Sequence, residues 1–430
     1  MKLSNDQKAA CNLIYRWWLD TDEKVFVLEG QAGTGKTFIA KRITELLPGC
    51  DALFTAPTNE ALKQLELAVG EEVELKTTYS ALGFRFDTKK EIPTLIQENL
   101  PQTIFDYNLI IVDEGSYVGL ELYEALLDLK IKILFLGHRS QLPPVGEEDK
   151  KAKVFGINSS KIFCSEHKMY NLSDCRRQDG ELLKFCQIVE KAITDSNITI
   201  PKTYNKNKSV FSTQMEKELS NIFAGKTKIL SWTNKVADNL NVKIRRAIYK
   251  QDNPNRFLKG DKILLTTKPT NYCGNLDNKN IQVNFKLLQK EAKLLSISSK
   301  YTVLKCAECY CMQIPCYKLM VSDSEEQILF LYVAKYETDL KDYWDSQLKI
   351  SFKIKSKKGK QKHFEKVHFI LSLFAHVKYD YALTIHRSQG MSIENVIFLA
   401  STLEGCVNLD LRKKLYYVAV SRSRNTLTIY

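Results

Sequence analysis

The sequence predicts an α/β chain with two doubly wound layers and a β-rich insertion, and three observations carry that expectation. Short apolar runs at residues 25–28, 53–56, 109–112 and 131–136 alternate with amphipathic stretches, the pattern of buried parallel strands separated by helices. A second set of runs, at 229–231, 381–384, 395–399 and 426–430, repeats this texture near the C-terminus. Between 257 and 378 the pattern turns to β-type alternation, at 262–267, 292–304, 317–321 and 327–335, with turn signals at Cys273-Gly274-Asn275 and Asp323-Ser324. Ligands of doubly wound layers sit at the carboxyl ends of the strands, so the chemistry is sought there.

The 430 residues suggest about three domains at roughly 150 residues each. An apolar fraction of 44% with 26% charged residues excludes wholesale disorder, a collagen-like repeat and a coiled-coil rod. No run approaches the ~18 to 20 apolar residues of a membrane span, so no membrane partner is expected. The opening Met1-Lys2-Leu3-Ser4-Asn5-Asp6 turns polar at once, which points to a cytoplasmic, nucleic-acid-associated protein, or the equivalent host compartment for a viral one. Its 11 cysteines then read as thiols in a reducing compartment. With 63 basic against 50 acidic residues the net charge is +13, which suits a polyanionic partner. Residues 353–362 hold six lysines and no acid and are expected to form an exposed loop, either simply solvated or in contact with phosphate.

Gly30-Gln31-Ala32-Gly33-Thr34-Gly35-Lys36-Thr37 fits the phosphate loop G-x-x-x-x-G-K-[ST], and it follows a strand and opens a helix. The glycines let backbone N–H groups curl round a phosphate at a helix N-terminus. Lys36 is placed to reach the β- and γ-phosphates of ATP, and the Thr37 hydroxyl to ligate Mg²⁺. Residues 109–114, Leu-Ile-Ile-Val-Asp-Glu, put two acids at the end of an apolar strand, where carboxylates are costly unless they meet a metal or a reacting water. Asp113 is the expected Mg²⁺ partner and Glu114 the base for an attacking water, which favours hydrolysis over transfer to a small acceptor. Gln141 follows the strand at 131–136 and could sense the γ-phosphate through its carboxamide.

The ordered series of motifs resembles the superfamily 1 DNA helicases of the B subgroup, the RecD/Dda-like group, nearly from end to end. Leu3-Ser4-Asn5-Asp6-Gln7 is similar to the adenine-reading motif, which implies a base contact for Gln7. Residues 55–61, Thr-Ala-Pro-Thr-Asn-Glu-Ala, resemble a strand-contacting motif and imply DNA contacts for Pro57, Thr58 and Asn59. Residues 77–82, Thr-Thr-Tyr-Ser-Ala-Leu, resemble another, implying Thr78. Leu172-Ser173-Asp174-Cys175-Arg176-Arg177-Gln178 is similar to the segment with the first arginine finger, and the polar residue that follows picks Arg177 over Arg176. Thr384-Ile385-His386-Arg387-Ser388-Gln389-Gly390 looks like motif V, implying nucleotide contacts for Gln389 and Gly390 and DNA contacts for Thr384 and His386. Residues 415–422 are similar to motif VI, which makes Arg422 the second finger. Planar, permanently charged donors suit charge spread over a transferring phosphoryl group. Trp232, Thr233 and Asn234 complete the implied strand contacts, with Trp232 open either to base stacking or to core packing.

The resemblance implies two RecA-like P-loop NTPase domains, 1–83 with 102–160 and 161–258 with 380–430. It places a small β-hairpin insertion at 84–101, with residues 86–90 as its turn and a wedge as its role, and an SH3-like β-rich insertion at 259–379. It further implies a monomer that moves 5′ to 3′ on single-stranded and forked DNA, with replication or repair proteins as partners. A strand-stimulated ATPase that displaces bound proteins without separating duplex is the alternative. Three departures stand out: His138 occupies a position that is usually acidic, Ser421 replaces Thr, and Gly115 follows the acid pair. Cys306, Cys309, Cys311 and Cys316 invite zinc, but strand alternation separates Cys306 from Cys309 and Cys311, so a hairpin with reduced thiols is the preferred reading.

Overall fold

The early apolar runs become strands because both of their faces are covered. The computed structural model describes residues 3–20, 22–70, 72–87, 94–97, 100–143, 160–163, 166–175, 178, 180–195, 197–200, 208–267, 269–271, 293–295 and 299–430. In it, one sheet runs in the order Leu75–Thr77, Ala52–Ala56, Leu109–Val112, Lys132–Gly137, Val25–Gly30, Lys168–Leu172, and every neighbouring pair is parallel. Alternate residues feed two cores: Phe26, Leu28, Leu134 and Leu136 on one face, Val25, Val27, Ile133 and Phe135 on the other. Each such side chain contributes roughly 1.5–3 kcal/mol by leaving water. The helix Asn5–Leu19 starts at a Ser4–Gln7 capping box and buries Ala10, Ile14 and Trp17 in the first of these cores.

A second sheet has the order Ala382–Thr384, Thr227–Ser231, Ile393–Phe398, Ser423–Ile429, with the last two strands parallel. The helix Leu409–Val420 packs on it and is buried from Lys414 to Val420, which explains why its apolar residues run together instead of forming a stripe. By contacts the chain forms two compact units: Met1–Phe211 with Lys228–Asn234 and Leu383–Tyr430, and Ser212–Thr227 with Lys235–Ala382. In the first unit Phe84–Asp87 and Thr94–Gln97 pair as an antiparallel hairpin. The expected turn at 86–90 begins too early, because Phe86 and Asp87 are still in the strand, and residues 88–90 lie outside the described residues.

The second unit contains a five-stranded antiparallel sheet, ordered Ile328–Ala334, Ile314–Ser322, Lys300–Cys311, Lys262–Leu265, Val377–Tyr379. Within this unit Arg245 meets Asp261 in a buried two-pronged pair, Nε to Oδ1 at 2.9 Å and Nη2 to Oδ2 at 2.8 Å. Asp261 also accepts from the Tyr381 hydroxyl and the Leu258 N–H. Cys309 and Cys316 sit opposite each other with sulfurs 3.4 Å apart in the core that holds Cys311, while Cys306 packs into the other core.

The β-type texture of 257–378 needs correction, because the helices Glu337–Lys353 and Lys357–Ser372 interrupt it. The lysine-rich residues 353–362 are accordingly not a loop: Lys353 ends one helix and Lys357 begins the next. Ser356 caps the second helix by accepting from the Gly359 N–H at 3.0 Å. Val367 and Ile370 then bury its far end, and Trp344 packs against Phe364 and His368. Tertiary packing of that downstream face outweighs the charge repulsion that suggested a loop. Among the described residues, no helix is long and apolar enough to cross a membrane.

Candidate active site

The phosphate loop leaves the buried strand Val25–Gly30 and enters the helix Lys36–Thr44. Gly35 has φ 88°, a left-handed conformation, and a Cβ there would stand 2.7 Å from the Gln7 amide nitrogen. That amide is held at both ends: Nε2 donates to the Thr34 carbonyl at 3.0 Å and Oε1 accepts from the Ser4 N–H at 3.1 Å. Gln7 therefore ties the start of the helix Asn5–Leu19 to the loop backbone. Lys36 Nζ donates to the Gly30 and Gln31 carbonyls at 2.7 and 3.0 Å.

The Thr37 hydroxyl donates to Asp113 Oδ2 at 2.9 Å, and Asp113 Oδ1 accepts from the Glu114 N–H at 2.8 Å. Burial first, and then the neighbouring Glu114 charge, push the Asp113 carboxyl up to about 6. A hydroxyl and a carboxylate converging on one point are the oxygen donors that a hard cation selects. The residues thus fit Mg²⁺, which Thr37 and Asp113 would hold. Glu114 has φ 50°, a strained conformation for a non-glycine residue, of the kind that clusters at functional sites. Gly115 follows because nothing larger fits: a Cβ would come 2.6 Å from Ile162 Cδ1 and 3.2 Å from the Leu136 carbonyl.

These groups open on a cavity of about 270 Å³, lined by Ala32, Gly33, Gly35, Lys36, Thr37, Asp113, Glu114, Gln141, Gly390 and Arg422. The Gln141 carboxamide accepts from the Ser116 hydroxyl at 3.1 Å. Gln389 Nε2 donates to Glu114 Oε2 at 3.3 Å, and Gly390 takes φ 78° against the same carboxylate. Arg422 is 1% exposed, held by the Val418 and Met391 carbonyls and the Ser421 hydroxyl. Burial lowers its pKa, and the Glu114 charge is the largest opposing influence. Arg177 lies outside the described residues.

Beside the loop stands an ionic cluster in which Glu29 and His138 are buried and Arg139 is exposed. Arg139 binds Glu29 through Nε at 2.8 Å and Nη2 at 2.7 Å. His138 Nε2 bonds Glu190, and its Nδ1 lies 3.4 Å from Glu29. Burial would raise the Glu29 pKa, but the His138 and Arg139 hydrogen bonds bring it down to about 2. Glu190 also accepts from the Gln31 amide, tying the helix Gly180–Thr194 to the phosphate loop. A histidine at an acidic position thus gains two carboxylates of its own.

The implied strand-contacting residues divide by exposure. Thr58 is exposed, though its hydroxyl caps the helix Asn59–Val69, where Asn59 is half-buried. Asn234 is exposed, and Thr233 and His386 are half-buried, with burial lowering the His386 pKa. Pro57 is buried. Thr78 is also buried, donating to the Thr55 hydroxyl, and buried Thr384 caps the helix Ile385–Ser388. Trp232 packs by its ring edge on Gly405, which favours the core alternative over stacking. Sequence reasoning missed Gln64, Ser392 and Arg424, which line the cavity. Gln64 shares a helix face with Ala61 and Ala68, a spacing that helical periodicity could have supplied.

Two family models match the chain: an AAA domain over residues 2–194 and a UvrD-like helicase C-terminal domain over 379–430. The ATP-dependent DNA helicase dda of Enterobacteria phage T4 is 24% identical over 458 residues, covering 98% of each chain. An uncharacterized protein of Acanthamoeba polyphaga mimivirus is 23% identical, also over 98% of each. Among solved structures, a Bacteroides Pif1 helicase in complex with ADP-AlF3 and single-stranded DNA superposes with a TM-score of 0.56 at 14% identity, over 100% of this chain and 92% of that one. Pif1 helicase described at forked duplex DNA gives 0.55 at the same identity and coverage. At that identity the likeness shows the fold, two RecA-like domains.

Proposed function

We propose, from the premise that the chain is a superfamily 1B helicase of the Dda-like type, that it couples ATP hydrolysis to 5′-to-3′ travel on single-stranded DNA and to unwinding of forked duplexes. One observation carries the reading: Lys36, Thr37, Asp113, Glu114 and Arg422, drawn from both ends of the chain, line a single cavity. Lys36 turns from the loop carbonyls to the β- and γ-phosphates when nucleotide enters. Glu114 orients and deprotonates the attacking water, steadied by Gln389. Gln141, joined to Ser116, senses the γ-phosphate. Arg422, the second finger, with Arg177 as the first finger implied by the resemblance, neutralises the developing charge. Mg²⁺ held by Thr37 and Asp113 supplies charge neutralisation on the phosphates. Gln7, Gly30, Ala32, Gly33, Thr34, Gly35 and Gly390 shape the nucleotide cradle.

In this reading residues 1–83 with 102–160 and 161–258 with 380–430 are the two motor domains, and 259–379 is the SH3-like insertion. Nucleotide turnover alternately tightens and loosens the motor domains on the strand. Thr58, Asn59, Thr233, Asn234 and His386 touch DNA, while Pro57, Thr78, Trp232 and Thr384 hold the backbone of those segments in place. The antiparallel pairing of Phe84–Asp87 with Thr94–Gln97 supports a wedge, which favours duplex separation over protein displacement alone. The protein acts as a cytoplasmic monomer alongside replication or repair proteins. Duplexes with a 5′ or a 3′ single-stranded tail test the proposal. Separation of the 5′-tailed substrate alone, with ATP but not with a non-hydrolysable analogue, is expected, and separation of neither substrate would overturn it.

A further inference from the structure

The strands Lys300–Cys311 and Ile314–Ser322 are joined by a two-residue turn, Met312-Gln313, in which both residues take a left-handed backbone, with φ 49° and 71°. Such a turn is closed by a pair of residues that exchange backbone hydrogen bonds, here Cys311 and Ile314. Closely bonded pairs recur at every second position, so Cys309 and Cys316 are the next one along the ladder. Pro315 agrees with this phase: it has no N–H to give, it falls on the intervening pair with Tyr310, and its carbonyl accepts from the Lys335 N–H, just past the strand Ile328–Ala334. Residues of a bonded pair stand about 5.5 Å apart at Cα, inside the range of about 4.4–6.8 Å that a disulfide spans. The two cysteine side chains leave the same face of the sheet, and their sulfurs already touch at 3.4 Å. Cys316 is fully buried, in a core with Ile314, Tyr332, Ile370 and Phe374, whereas Cys309 is half-buried.

We propose that Cys309 and Cys316 form a thiol-oxidation site, at which a small-molecule disulfide such as oxidised glutathione converts the two thiols into a cross-strand bridge. The Cys309 sulfur, the more accessible, attacks one sulfur of the reagent; the first thiol leaves with the Cys309 proton, and a mixed disulfide remains. The Cys316 sulfur then attacks Cys309 Sγ and expels the second thiol, which takes the Cys316 proton. The protein gives up two electrons and two hydrogens, and one reagent disulfide becomes two thiols. Closure brings the sulfurs from 3.4 Å to about 2.05 Å, a shift that side-chain rotation supplies. Being intramolecular, this step outpaces capture of the intermediate by a second reagent molecule. The bridge spans seven positions, so it restricts the unfolded chain little and opens again when a reducing dithiol is added. The register singles out this pair: Cys306 packs into the other core, and Cys311 is opposed by Ile314 instead of by sulfur. The site is independent of the nucleotide reading and concerns the second unit alone.

The test treats the full reduced chain with oxidised glutathione, blocks the remaining thiols with iodoacetamide, reduces, and labels the released thiols with N-ethylmaleimide. Mass spectrometry of the segment 306–318 should find the second label on Cys309 and Cys316 and the first on Cys306 and Cys311. Before the reduction step that segment should have lost two hydrogens and carry no glutathione. In Cys316→Ser the reaction should stop at the mixed disulfide, with one glutathione retained on Cys309. The labelling pattern of the unmodified chain decides the matter even if that variant fails to fold. The second label on Cys306 or Cys311, glutathione retained on Cys309 beside a Cys316 thiol, or the first label on all four cysteines would each overturn the proposal. A bridge to Cys309 that survives in Cys316→Ser would do the same.

Discussion

Gln389 Nε2 donates to Glu114 Oε2 at 3.3 Å, joining residues 275 positions apart. Gln389 is 5% exposed, and its Oε1 has no hydrogen-bond partner among the described residues. One end of the carboxamide thus steadies the acid and the other is available to a water that the acid would activate. Glu114 is held from the other side by its left-handed backbone, so its direction is set twice.

Replacing Gln389 with Leu keeps the volume and removes a hydrogen bond to a charged group, worth about 1.5–3 kcal/mol. We expect kcat for strand-stimulated ATP hydrolysis to fall by at least about tenfold, with KM for ATP little changed. Steady-state kinetics decide this, and a rise in KM alone would show that Gln389 serves binding only.

Glu114→Gln should lower hydrolysis by about 10² to 10⁴-fold, the usual contribution of a general base, and leave single-strand binding intact. Lys36→Ala should lose hydrolysis together with nucleotide affinity. Turnover assays with fluorescence titration of nucleotide and of labelled strand separate the two variants. Full turnover by either would contradict the assigned chemistry.

His138 predicts a pH dependence of stability. Burial alone would lower its pKa, but hydrogen bonding to Glu190 and Glu29 outweighs burial and raises it above 6.5. A raised folded pKa means that the stabilisation is complete below the unfolded value near 6.5 and fades as pH rises through the folded value. Urea midpoints of the native chain should therefore fall relative to His138→Asn on going from mildly acidic to alkaline buffer. Parallel curves for the two proteins would refute the charged imidazole.

Gly115→Ala should destabilise by about 1–3 kcal/mol through overpacking against Ile162 and the Leu136 carbonyl. Adding Ile162→Val, which removes the crowding methyl, should recover part of that loss in urea unfolding. No recovery would place the strain in the backbone.

Asp261→Ala leaves the Arg245 guanidinium buried without its carboxylate, a change that costs about 3–5 kcal/mol. Chemical unfolding should show it as a lower midpoint. ATP affinity should not change, because neither residue lines the nucleotide cavity.

The strands of both α/β sheets were legible wherever burial on two faces produced an unbroken apolar run, as at Leu109–Val112. Leu75–Thr77 and Lys168–Leu172 escaped notice because half-exposed edge strands carry no such run. The phosphate loop and acid pair were readable because their chemistry demands fixed residue types at fixed spacing. The Glu29–His138–Glu190 cluster was not, since its members meet only through tertiary packing. The lysine-rich segment misled because local charge argued for a loop, while the helix is held by Val367, Ile370 and Phe364 further along.

The cavity takes its floor from Gly33 and its far wall from Arg422, near opposite ends of the chain. Those two residues are 389 positions apart, so the wall closes only when the helix Leu409–Val420 has packed into its core, and a fault in that distant packing would reshape the cavity with the glycine loop itself untouched.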